Sequence, residues 1–91
     1  MKTKYLVCYD IADPRRLSRV LRMMKGVGVH LQYSVFYCEL TWPELADLKQ
    51  KLAAEIKPDE DDVRVYPLPS EGRVVSLGIG DRVPEGVEVI L

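Results

Sequence analysis

The chain has 91 residues, of which 47% are hydrophobic and 30% charged, and a formal net charge of −1. That length supports one small globular domain without a second core. No apolar stretch is long enough to span a bilayer, and near-neutrality argues against a generic basic nucleic-acid binder.

The amino terminus "MKTKYLVCYD" runs straight from a short apolar segment into an aspartate, unlike a secretory signal, so a cytoplasmic protein is expected. Residues 3–10 are rich in β-branched and aromatic residues and predict a strand. Tyr5, Val7 and Tyr9 alternate with Leu6 and Cys8, so both faces are apolar and a covered, central strand is expected. Asp13 is placed as a helix N-cap, with Pro14 at the first helical position. Leu17, Val20, Leu21 and Met24 form one apolar stripe at helical spacing, Arg15, Arg19 and Arg22 occupy another face, and Gly26 and Gly28 close the helix.

Residues 29–40, "VHLQYSVFYCEL", are long for one strand and predict either a single strand or two with a reversal near residues 32–34. Thr41 and Glu44 form a capping box that starts a second helix. Its stripe of Leu45, Leu48, Leu52 and Ile56 carries it to about residue 56, with Trp42 expected as a staple against the core. After the polar loop "KPDED", residues 63–68 predict another strand, and short strands follow at 73–78 and 87–91. Cys8 and Cys38 fall inside strands and read as small buried hydrophobes, too few for a zinc site by themselves.

The element order β-α-β(β)-α-β is complete by residue 68. With the middle stretch split, it predicts an α+β fold, a ferredoxin-like βαββαβ unit with an extra C-terminal strand or hairpin. Residues 1–68 form the expected core domain and 69–91 a tail exchanged with, or packed on, a partner. Such a sheet carries helices on one face only, so its open apolar face is expected to be buried in a homodimer.

Charge is unevenly distributed. Residues 1–40 carry seven Lys or Arg against three Asp or Glu, and residues 41–91 carry six against eleven. This gives either an anion-binding face around the first helix or a solvated helix face paired with the acidic half. Asp10, at the end of the first strand, is either a strand-end aspartate bonded to the following turn or a metal ligand.

The segments "YDIADPRR", "GVHLQYSVFYCEL" and "DDVRVYPL" together resemble the small CRISPR-associated endoribonuclease family, the smaller partner of the CRISPR spacer-acquisition integrase. The resemblance covers residues 3–68 and rests on the combination at matching distances, since each piece alone is weak. It implies a ferredoxin-like homodimer in which Asp10 is the metal ligand and two copies of Asp10 face each other near the two-fold axis. Two carboxylates with water and a substrate phosphate suit Mg²⁺, or another divalent cation such as Mn²⁺.

The implied reaction is phosphodiester hydrolysis on RNA or duplex DNA. By the same resemblance, Tyr9 and Phe36 join Asp10 as catalytic residues, and Arg15, Arg16, Arg19, His30 and Ser34 contact nucleic acid. Two positions depart from the family pattern: His30 stands where arginine is common, and Tyr37 where glutamate is common. The resemblance also supports a non-catalytic role, a homodimeric scaffold that binds duplex DNA and bridges integrase subunits. A toxin-like ribonuclease of similar fold is the third reading.

Overall fold

The computed structural model describes residues 1–71 and the strand backbones of Val75–Leu77 and Glu88–Ile90. The elements are β1 (Thr3–Asp10), α1 (Pro14–Lys25), β2 (Val29–Gln32), β3 (Val35–Leu40), α2 (Trp42–Glu55), β4 (Asp62–Pro67), β5 (Val75–Leu77) and β6 (Glu88–Ile90). The long middle stretch is therefore two strands. Their reversal is the two-residue turn Tyr33–Ser34, closed by the pairing of Gln32 with Val35. No Gly marks that turn because Ser34 itself takes the left-handed conformation, φ 54°.

Four strands form one antiparallel sheet in the order β2-β3-β1-β4, the ferredoxin-like arrangement. β5 and β6 pair with each other in parallel. The rest of the predicted 69–91 tail beyond Glu71 lies outside the described residues.

Both helices start where the side chains dictate. Asp13 accepts the amides of Arg15 and Arg16 at 3.0 Å, with Pro14 behind it in the first turn. Thr41 and Glu44 form the reciprocal capping box. The stripes of both helices meet the same sheet face. Val20 and Met24 from α1 and Leu45, Leu48 and Leu52 from α2 pack with Tyr5, Val7, Tyr9, Phe36, Cys38 and Leu40. Removing any of these leucines to alanine would be expected to cost about 2–5 kcal/mol. Leu17, at the start of the predicted stripe, is on the rim and partly exposed. Trp42 departs from expectation: it is 75% exposed, with the Lys49 ammonium 5.9 Å from its ring centre.

Gly28 is required by space. A Cβ there would sit 2.6 Å from Cys38 Sγ and 2.7 Å from the Tyr37 carbonyl oxygen. A backbone oxygen cannot rotate away, so Gly28→Ala is expected to lower stability by about 1–3 kcal/mol, read as a reduced denaturant midpoint at unchanged m-value.

Strand alternation decides what faces away from the helices. The register sets Val29, Tyr37, Leu6 and Tyr66 in one row across the sheet, with Cys8, Val35 and Arg64 in the next. None of these belongs to the core cluster beneath the helices. At the end of the same face, Asp10 stands directly opposite Asp62.

Candidate metal and nucleic-acid site

The C-terminal end of β1 gathers four pieces of chain: Asp10, the loop into α1, the Tyr33–Ser34 turn and the start of β4. The turn is fastened to β1 by the Tyr9 amide, which donates to the Ser34 carbonyl at 3.0 Å. A β-branched side chain at the left-handed Ser34 position would be strained by about 1–2 kcal/mol. Ser34→Val is therefore expected to lower the melting temperature and Ser34→Gly to hold it, which differential scanning calorimetry would read.

Asp61 fastens the other side. Its side chain is fully buried, and its carboxylate accepts the amides of Ala12 (2.9 Å) and Lys57 (2.8 Å). It also accepts both Nε (2.9 Å) and Nη2 (3.2 Å) of Arg16. Arg16 Nη2 reaches Glu60 as well, at 3.1 Å. The Arg16 guanidinium, followed by the two amides, holds the Asp61 carboxyl far below the usual carboxylate range, and the same bonds raise Arg16. This clasp joins the β1–α1 loop, α1 and the α2–β4 loop.

Nothing in "KPDED" read as a loop announced the clasp. The visible signal was the adjacent pair Asp61-Asp62 at a strand start, where one residue turns inward and the next outward.

The clasp bears on Asp10. The turn amide that a strand-end aspartate would take, that of Ala12, is given to Asp61. Asp13 is occupied with the helix cap. The Asp10 side chain is exposed and makes no hydrogen bond or ion pair among the described residues. Its neighbour Asp62 is engaged by Arg64 Nε at 2.9 Å. Two like charges opposite each other on an antiparallel pair are unfavourable, and Arg64 offsets only one of them.

The other predicted residues separate into groups. Tyr9 (6% exposed) and Phe36 (0%) lie on the helix-covered face, their rings 6.2 Å apart. His30 stacks on Phe36 at 4.6 Å with 6° between the planes, and its buried Nε2 has no partner among the described residues. These three form an aromatic stack in the core, on the opposite side of the sheet from Asp10. The resemblance gives Tyr9 and Phe36 catalytic roles and His30 a nucleic-acid contact; the structure sets all three rings on the helix-covered side, because successive strand residues point to opposite faces.

Arg16, an expected nucleic-acid contact, has its guanidinium engaged by Asp61 and Glu60. Arg19 pairs with Glu55 of α2 and keeps half its surface. Arg15 remains exposed at the start of α1, next to the Asp10 end of the sheet, with no ion pair among the described residues. The reading of helix arginines paired with the acidic half thus holds for Arg16 and Arg19.

Among the described residues no group of three or more His, Cys, Asp or Glu side chains is placed to hold a metal within one chain, and no helix is long and apolar enough to cross a membrane. Asp10 offers hard oxygen donors, the type Mg²⁺ prefers, and would fit a divalent ion if a second copy supplied another carboxylate.

Residues 3–74 match the family model described as CRISPR associated protein Cas2. A CRISPR-associated endoribonuclease Cas2 2 of Thermodesulfovibrio yellowstonii is 57% identical over 89 residues, covering 98% of each chain. Among solved structures, a hypothetical protein from Thermus thermophilus superposes with a TM-score of 0.82 at 35% identity, covering 88% of this chain and 95% of the other. A chain of a partial Cas6-RT-Cas1–Cas2 complex gives 0.67 at 28% identity, covering 78% and 77%.

Proposed function

Because the chain belongs to the CRISPR associated protein Cas2 family, we propose that it acts in the spacer-acquisition stage of CRISPR immunity as a homodimeric, divalent-metal-dependent endonuclease. The observation that carries this reading is the exposed carboxylate of Asp10, which has no partner among the described residues while Asp13, Asp61 and Asp62 are each engaged. One carboxylate is too few to hold a catalytic ion, and a two-fold axis near the end of β1 supplies the second. The open sheet face fits such a dimer: Leu6, Cys8, Val35, Tyr37 and Tyr66 face away from the helices. The tail then adds to an edge of the partner's sheet, removing an exposed edge.

In this dimer the two Asp10 carboxylates would hold Mg²⁺ or Mn²⁺, which would supply Lewis-acid polarisation of the phosphate and of a water. Arg15 positions the phosphate backbone beside the axis. Arg64 holds Asp62 aside and balances part of the negative charge that develops on the phosphate. Asp61 and Arg16 fix the loop from which Asp10 projects. The substrate is RNA or DNA. Purified protein is expected to cleave a labelled oligonucleotide with Mg²⁺ and not with EDTA; equal cleavage in EDTA would sink the metal-dependent reading.

A second reading is favoured by the likeness to a chain of a complex that contains Cas1. In it the dimer is a bridge between integrase subunits and binds duplex DNA across its basic helices. Spacer acquisition that survives Asp10→Asn, but not charge reversal of Arg15 and Arg19, would select this reading over the catalytic one.

A further inference from the structure

Among the described residues after Met1, the most exposed large hydrophobic side chain is Tyr33, at 94%, more open than Trp42. It has no role in the core, in a cap or in a strand pair, and its hydroxyl has no hydrogen-bond partner among the described residues. A lone exposed aromatic is ordinary on a surface. What sets this one apart is its mount. It occupies the first position of a two-residue turn whose second residue, Ser34, is held in the left-handed region. Left-handed serine persists only where surrounding structure fixes it. Here the fixing contact is the Tyr9 amide, one residue from Asp10.

Tyr33 is therefore a ring on a pinned turn at the metal end of the sheet. Along the chain path Tyr33–Ser34···Tyr9–Asp10, the two Cα atoms are at most about 15 Å apart. That bound keeps the ring within reach of a base beside a phosphate held at Asp10. A pinned tyrosine loses little conformational freedom when a base stacks on it.

Resting on the endonuclease reading, we propose that Tyr33 is the stacking platform for an unpaired base beside the scissile phosphate of a single-stranded substrate. The stack is tolerant of base identity, since every base has a π-face, and it sets the position of the strand relative to Asp10. Tyr33 is a positioning residue and touches no reacting atom.

The test is the affinity of the full-length dimer for a fluorescein-labelled single-stranded RNA ten nucleotides long, measured by anisotropy in EDTA so that no cleavage intervenes. Tyr33→Ala is expected to weaken binding about 5- to 150-fold, with Tyr33→Phe and Tyr33→Trp close to wild type. In a Trp42→Phe background, the Tyr33→Trp fluorescence is expected to be quenched by the oligonucleotide. A single abasic nucleotide at the stacked position should reproduce the loss, and Tyr33→Ala should then add nothing further.

Wild-type affinity in Tyr33→Ala, or no quenching, overturns the inference and leaves the nuclease reading standing. The same holds if Tyr33→Ala loses only binding to the larger integrase subunit, which would assign the ring to a protein contact. If the wild-type chain does not bind the single-stranded RNA but still cleaves nucleic acid with Mg²⁺, the inference falls and the nuclease reading stands; if it neither binds nor cleaves, both fall.

Discussion

Asp10→Asn is expected to reduce divalent-dependent cleavage by at least about a hundredfold, the scale of losing one preorganised charge at a phosphoryl centre. The fold should be untouched. Asp10 is exposed, bonds to nothing among the described residues, and stands opposite Asp62. Removing its charge relieves a like-charge pair, so the melting temperature should stay level or rise slightly, with a gain of a few tenths of a kcal/mol. Circular dichroism melts alongside single-turnover cleavage would separate the two effects. Cleavage that persists in Asp10→Asn would assign the chemistry to other residues or to a contaminating nuclease. A lowered melting temperature would mean that Asp10 has a structural partner after all.

Asp61→Asn should do the opposite, damaging the fold first. The asparagine amide would point donors at the donors of Ala12, Lys57 and Arg16, and would leave the largely buried guanidinium with only the more exposed Glu60 as counter-charge. Breaking one side of such a pair is strongly destabilising, and in a domain this small a fall in melting temperature on the order of 10 °C or more is expected.

The pH dependence follows from the direction of the Asp61 shift. Its carboxyl binds its proton less readily in the folded chain than in the unfolded one. The stabilisation is therefore complete above the ordinary aspartate value near 3.9 and is lost as pH falls through the lower folded value. Stability of the native chain should begin to decline below about pH 5, while the already weakened Asp61→Asn chain should show a shallower slope over the same window. Parallel slopes for the two proteins would contradict the clasp. Arg16→Ala belongs to the same experiment: a change in nucleic-acid affinity larger than its change in stability would return Arg16 to the binding surface.

Much of the architecture is legible before folding because local signals agree with one another. Asp13-Pro14 and the Thr41–Glu44 box start both helices where the sequence places them, and the leucine stripe of α2 is the one that is buried. The β2–β3 reversal stayed open because the residue that takes the left-handed conformation is Ser34, which carries no glycine's signature. The functional residues were harder to read. Tyr9-Asp10 is one motif in the chain but two environments in space, because adjacent strand residues face opposite sides, and the Tyr9–Phe36–His30 stack belongs to the core. The partner of Arg16 lies 45 residues away, a pairing that no local pattern encodes. Tyr33 is silent in sequence since its only distinction is how little it touches.

The claim on which the rest depends is that two copies of Asp10 share one ion across the dimer axis. Titrating the dimer with Mn²⁺ and counting bound ions by electron paramagnetic resonance tests it directly. One ion per two chains, abolished by Asp10→Asn and retained in Asp62→Asn, is the expected result. One ion per chain, or a site lost only with Asp62, would contradict it, because the metal would then be held between β1 and β4 of a single chain.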